Sequence, residues 1–509
     1  MHDKPRGQCR RTGAAIDRRS FLKGATVGAA ALTLPELLVA DPYAPYQQVP
    51  ATGRPVRIQG QVRASGRGLS SVAVTDGFNV VDTGSDGQFE LTSTTDRDFV
   101  SISLPSGYEV PLNATGTARL YKPIQARANG EMNAEFDLNE LDQSDEHHTL
   151  LLLADIQTQD SDEMTWYHEQ TTPDIQSVVR SLDGRSVIGV SCGDIMYDHL
   201  ELYPEYERAV SDIGIPFFQV VGNHDMDYSA RTDEDSAATF STHFGPRYYS
   251  FNRGEVHYVV LDDVFWYGAG YLGYVDADQL HWLEADLQRV EPGRTVIVAA
   301  HIPVLGSRHV RVGDRNPSSS MAVTNRQALY QLLEPFEVHV LTGHTHESEH
   351  VFEHGVHEHV NGAVCGAWWS GPICGDGTPS GYSIYDVRGA AVTWRYKSTG
   401  HGLDHQLRVY PRGSDPNAPD EIVANVWGWD PAWEVVWYED GERRGAMSRR
   451  VGHDPLSNEL HSGPDLPARR PWVEPYPTNH LFYSPAARDT ARINVEATDR
   501  FGREFAAET

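Results

Sequence analysis

Six near-continuous apolar runs mark the middle of the chain: LLLLAD (150–155), SVIGVSCGD (186–194), IPFFQVVGNHD (215–225), EVHYVVLDD (255–263), TVIVAAHIP (295–303) and VHVLTGHTH (338–346). Runs of this kind suit strands buried on both faces. Between them the apolar positions recur at helical spacing, in TPDIQSVVRSL (172–182), LYPEYERAVSDI (202–213), DADQLHWLEADLQRV (276–290) and TNRQALYQLLEPF (324–336). Strand alternating with helix predicts a layered α/β core. Upstream, VRIQGQV, SSVAVTDG and DGQFELT alternate over short spans broken by Gly and Asp, which predicts a small antiparallel sandwich. Past Arg388 the helical period stops, and VTWRYK, QLRVYP, VVWYEDGE and ARINVEATDRFG predict a second β domain.

Five of the apolar runs end in polar chemistry. The ends are Asp155-Ile156-Gln157, Gly193-Asp194, Gly222-Asn223-His224-Asp225, Ala300-His301 and Gly343-His344-Thr345-His346. Any one alone is an ordinary cap or turn. Five together, each closing a buried strand, would converge on one spot if the strand ends align. Carboxylate, carboxamide and imidazole suit divalent transition metals better than calcium. Asp155, Gln157, Asp194, Asn223, His301, His344 and His346 are too many ligands for one ion with open positions, and suit two ions roughly 3.5–4 Å apart.

In this order, the blocks D-x-Q, G-D, G-N-H-D, H and G-H-T-H resemble the calcineurin-like metallophosphoesterase superfamily over about residues 148–370. The flanking β segments match its three-part subgroup, and the first of them resembles the transthyretin-like module. The resemblance implies a layered β-sandwich core with helices outside over 146–388. Β-sandwich domains would flank it at 54–142 and 389–509, after a linker at 41–53. It implies that Asp155, Gln157, Asp194 and His346 hold one metal, and that Asp194, Asn223, His301 and His344 hold a second. It also implies a phosphate mono- or diester substrate attacked by a metal-activated hydroxide. His224 would act as leaving-group acid, with Asp225 orienting its ring.

Two features depart from the common pattern. Gln157 stands where most of the superfamily has His, so manganese, magnesium or iron(II) is expected beside zinc as an occupant. Gly193-Asp194-Ile195-Met196-Tyr197 matches the G-D-x-x-Y block of purple acid phosphatases, which makes Tyr197 a candidate iron ligand. A non-catalytic envelope- or carbohydrate-binding protein that keeps the fold is the competing class. Trp368 and Trp369 are expected either to line the pocket or to pack on the C-terminal domain, and Arg308 and His309 either to meet phosphate or to face solvent. His350, His354, His357 and His359 are expected on a surface or strand, without metal-site spacing.

Charge and targeting narrow the partners. The chain has 509 residues with 42 basic and 71 acidic ones, so several domains are expected. Residues 1–40 carry seven of the basic and three of the acidic residues, which leaves 35 against 68 in the rest. That balance excludes nucleic acid and anionic membrane as general partners. With only four lysines and dispersed acid, the surface suits concentrated salt, where self-repulsion is screened. Unfolding midpoints that do not rise from low to molar salt would reduce this to a compositional bias.

DRRSFLKG (17–24) followed by a mild apolar stretch to Ala40 resembles a twin-arginine export signal, within 1–40. The mature chain is expected to have no transmembrane segment. Cys192 is expected in the core, and Cys365 and Cys374 could pair across a loop.

Overall fold

The computed structural model describes residues 53–182, 184–486 and 492–509. The expected signal, Cys9 and all but the last residue of the linker lie outside them.

The core strands are, in chain order, β1 (His147–Leu153), β2 (Ser186–Cys192), β3 (Phe217–Val220), β4 (Tyr249–Arg253), β5 (Val256–Val260), β6 (Thr295–Ala299), β7 (Glu337–Thr342), β8 (Glu349–Glu353), β9 (Val356–Val360), β10 (Gly381–Arg388) and β11 (Ala391–Ser398). They form two sheets, ordered β3-β2-β1-β10-β11 and β4-β5-β6-β7-β9-β8. β1, β2 and β3 run parallel, as do β5, β6, β7 and β9. Parallel strands bury both faces, and Leu150 to Leu153 are accordingly inaccessible.

Helices Thr172–Ser181, Tyr203–Ile213, Ala277–Leu287 and Arg326–Leu333 fall on the predicted patterns. The Asp276 carboxylate caps the third of these by accepting the Gln279 N–H. No helix among the described residues is long and apolar enough to cross a membrane.

Two four-stranded sheets within 55–138 form the N-terminal β unit, and its apolar side chains merge with those between the core sheets in one cluster. Two further four-stranded sheets form the C-terminal unit around Val435, Trp437, Phe482 and Val495. The structure corrects the boundary expected at 388/389. β11, which contains VTWRYK, pairs with β10 along its whole length and so belongs to the core sheet. Its strong β pattern is the same in either domain, so periodicity could not assign it. Cys365 and Cys374 are free, buried thiols rather than a disulfide, and Cys192 is buried as expected.

His148 at the head of β1 joins the two sheets. Its Nδ1 meets the Asp145 carbonyl at 2.8 Å and its Nε2 the Tyr258 hydroxyl at 2.6 Å. Burial pushes its pKa down to about 4. Unfolded, the ring takes up a proton near its ordinary pKa of about 6.5, whereas the folded ring does not. Its contribution is therefore complete above about pH 6.5 and declines as pH falls toward 4. His148→Gln should shrink the acid-induced loss of stability by roughly 2–3 kcal/mol. Urea midpoints at neutral pH and near pH 4 would measure this, and an unchanged pH dependence would contradict it.

Candidate metal centre

Asp155 and Gln157 follow β1, Asp194 follows β2 and Asn223 follows β3, whereas His301 follows β6, and His344 and His346 follow β7. The tips of both sheets meet, and close contacts of side chains and one backbone amide link all seven residues. His346 Nε2 lies 3.5 Å from Asp155 Oδ1, and the His344 amide N–H donates to Asp155 Oδ2 at 2.9 Å. Gln157 Nε2 donates to Asp194 Oδ2 at 2.7 Å. Asp194 Oδ1 is 3.2 Å from His301 Nε2, which lies 3.1 Å from Asn223 Oδ1 and 3.2 Å from His344 Nδ1.

The backbone is bent to achieve this. Asp155, Gln157, Asp194, His344 and His346 all have φ between 44° and 69°. Non-glycine residues seldom occupy that region, and such strain gathers at functional sites. Two glycines are required by close approach. A Cβ on Gly222 would lie 2.0 Å from the Asp194 nitrogen, and one on Gly343 would lie 2.5 Å from Asp155 Oδ2.

Each of the three histidines has one ring nitrogen committed to a backbone carbonyl. His301 Nδ1 bonds Cys192 O at 3.0 Å, His344 Nε2 bonds Ser320 O at 2.9 Å and His346 Nδ1 bonds Gly366 O at 2.7 Å. A carbonyl only accepts, so those nitrogens carry the protons and the others present lone pairs to the cluster. Ligating histidines are oriented this way. His346 Nε2 is buried and has no hydrogen-bond partner. This orphan, the two buried aspartates and the fixed tautomers fit a pair of divalent cations.

The charges reinforce one another. Burial works against ionisation of Asp194, but His301, His224 and His344 outweigh it and hold its pKa below the ordinary range. Burial likewise opposes charge on His301, and Asp194 lifts that ring to about 10, so its Nε2 exposes a lone pair only once a cation displaces the proton. His344, pushed down by burial and by His301, falls to about 4.

His224 stands beside the cluster with its amide N–H on Asp194 Oδ1 at 2.8 Å. The structure corrects the role expected of Asp225. That carboxylate does not bond the His224 ring. It accepts the N–H groups of Ile195, Met196 and Gly222 and the Tyr203 hydroxyl, and so shapes the turn after β2. Burial pushes its pKa up to about 7. The ring is held instead by Asp198, whose Oδ1 lies 2.5 Å from His224 Nδ1 and also accepts the Tyr228 hydroxyl at 2.6 Å. Tyr197 lies face to face with the imidazole, ring centres 4.4 Å apart.

Asp263 is a second addition. Its Oδ1 accepts the His301 and Ile302 amides at 3.2 and 3.1 Å, fixing the turn after β6. The signal was present, since Asp262 and Asp263 close the 255–261 run as the ligands close theirs. Asp198 carried no such mark.

Trp368 packs on the C-terminal unit, one of the two roles expected of it. It stacks on His346 at 4.1 Å and meets Trp472 of the C-terminal unit at 4.9 Å. Trp369 donates its indole N–H to the Ile156 carbonyl. Arg470 donates to the Trp368 carbonyl at 2.6 Å and lies over Tyr197. Arg308 is not a solvated loop residue; it bonds Glu347 at 2.8 Å and stacks on Tyr476. His309 Nδ1 is buried without a partner.

Residues 148–348 match the model for calcineurin-like phosphoesterase. Residues 56–141 and 358–505 match the models for the N-terminal and C-terminal parts of calcineurin-like phosphoesterase. The chain belongs to this family, in its three-part subgroup, and the family binds a dimetal centre. A twin-arginine translocation signal matches residues 15–35, so the chain is exported by that route to an extracytoplasmic location.

Among known proteins, the chain is 27% identical to purple acid phosphatase 21 of Arabidopsis thaliana over 175 residues, covering 31% of this chain and 37% of the relative. It is 29% identical to the serine/threonine-protein phosphatase CPPED1 of Mus musculus over 150 residues, covering 27% and 47%. The matches thus span less than half of either relative. A dimetal phosphatase from Danio rerio shares 14% identity at a TM-score of 0.35, covering 49% of this chain and 96% of that one.

Proposed function

We propose that the protein is an exported two-metal enzyme that hydrolyses phosphate mono- or diesters. The observation that carries this reading is the trio of imidazoles, each tied by one nitrogen to a carbonyl and turned by the other toward Asp155 and Asp194. Asp155, Gln157, Asp194 and His346 would hold one divalent cation. Asp194, Asn223, His301 and His344 would hold the other. Bound there, the pair supplies Lewis-acid activation of water and neutralises charge on the phosphoryl oxygens. Gln157 presents its amide nitrogen to Asp194, so it serves as an oxygen donor only after the amide turns over. A carboxamide in that position favours manganese, magnesium or iron(II) over zinc.

His224 is the chain's own acid. Asp194 and Asp198 more than offset burial and raise its pKa, and the Asp198 contact at Nδ1 favours the protonated ring that could deliver a proton to a departing ester oxygen. Trp368, stacked on His346, shields that side of the cluster from water.

The test is to strip the protein with chelator, restore manganese, iron, zinc or magnesium, and assay p-nitrophenyl phosphate and its bis ester. Turnover of either ester that depends on added metal is expected. Full metal occupancy without turnover of either would favour the non-catalytic binder.

The match to a purple acid phosphatase keeps a second reading in view, with Tyr197 as an iron ligand. The face-to-face stack of Tyr197 on His224 favours a packing role instead. Tyr197→Phe should keep its full metal content, and the wild-type protein should show no tyrosinate-to-iron absorption band. A purple protein that bleaches in Tyr197→Phe would reverse this.

A further inference from the structure

A second group of histidines lies on the face of the β4–β9 sheet, outside the strand-end cluster. His357 and His359 are two apart on β9 and therefore share a face. The parallel register sets His339 of β7 beside His357, and the antiparallel register sets His350 of β8 beside His359. Spacing along the chain does not reveal this group, because His339 joins it through strand pairing alone.

The rings are in contact. His339 Nδ1 lies 2.9 Å from His359 Nε2, and His350 Nδ1 lies 3.1 Å from His357 Nε2. One nitrogen each from His339, His357 and His359 falls within a 4.8 Å span. His359 Nδ1 is buried with no partner. A core built only for packing would not gather four imidazoles and leave a polar nitrogen unsatisfied, because each such group costs free energy. Trp394 of β11 closes the other side, its ring centre 4.7–5.7 Å from those of all four histidines.

Tetrahedral zinc, with zinc–nitrogen distances of about 2.0–2.1 Å, places its ligand nitrogens about 3.3 Å apart, a spacing that fits inside the 4.8 Å span of His339, His357 and His359. Arg500 faces the patch over Trp394, but Asp430 binds its guanidinium through two hydrogen bonds of 2.8 and 2.9 Å and offsets the charge.

We propose that His339, His357 and His359, with His350 held against His357, form a separate site for one imidazole-preferring divalent ion such as zinc. The ion ties β7 to β9 beneath Trp394 and has no part in the chemistry at the strand tips. The proposal stands whether or not the strand-tip cluster hydrolyses phosphoesters.

Zinc is the probe. Crystals of the full chain grown with excess zinc should give an anomalous difference peak between the rings of His339, His357 and His359 at the zinc edge. Rings without a peak at saturating zinc would overturn the proposal. In solution, His339→Gln/His357→Gln should hold one zinc fewer per chain after equilibrium dialysis and lose part of the zinc-induced rise in Tm. An equal zinc content in variant and wild type would also overturn it. If the variant does not fold, the crystal experiment on the wild-type chain decides.

Discussion

Asp194→Ala is expected to lose bound metal and to lower phosphoester turnover by roughly 10³-fold or more. Lewis-acid stabilisation is worth several kcal/mol, and about 1.36 kcal/mol is tenfold in rate. Asp194 is the carboxylate that touches both halves of the cluster. One oxygen meets Gln157, while the other meets His301 and the His224 amide. It is only 1% exposed, so water cannot replace it as an anion. Its loss also leaves His301 beside no nearby carboxylate of equal contact, and the pKa of that ring should drop. Asp194→Asn keeps the shape and removes the charge, and it should lose metal nearly as completely. Metal analysis and kcat/KM on p-nitrophenyl phosphate would measure both variants. A folded Asp194→Ala protein with two metals and the wild-type rate would remove the basis for the two-metal reading.

His224→Ala is expected to slow hydrolysis of alkyl phosphate esters by roughly 10²–10⁴-fold while leaving metal content unchanged. An alkoxide needs a proton as it departs. A nitrophenolate hardly does, so the loss on p-nitrophenyl phosphate should be much smaller. Asp198 fixes the ring that would deliver this proton, because its carboxylate accepts at Nδ1 and leaves Nε2 for the substrate side. Asp198→Asn should therefore fall on the same substrates by a smaller factor, roughly 10–100-fold. Equal losses on alkyl and nitrophenyl esters would rule out the acid role and leave His224 as a phosphoryl contact.

These two experiments draw on different kinds of knowledge. Asp194 was legible in the chain, because an apolar run that stops at Gly-Asp names the residue at the strand tip. Asp198 was not, because its contact with His224 spans 26 residues and depends on a left-handed bend at φ 67°. Asp225 misled for a related reason. Adjacency in Gly-Asn-His-Asp suggested a side-chain pair, but the turn points that carboxylate at three amides behind it. Three of the histidines around Trp394 stood close together in the sequence, but His339 joins them only through strand pairing.

The amino-acid sequence by itself determined the layered core, its two β flanks, the export signal and the seven strand-end residues, because burial period and turn chemistry are local properties of the chain. Only the tertiary structure decided which groups touch. It turned His224 toward Asp198, gave β11 to the core sheet, brought Arg470 and Trp472 from the C-terminal unit to Trp368, and set His339 against His359. Those contacts depend on strand register and on the meeting of two sheets, and no periodicity along one chain encodes either.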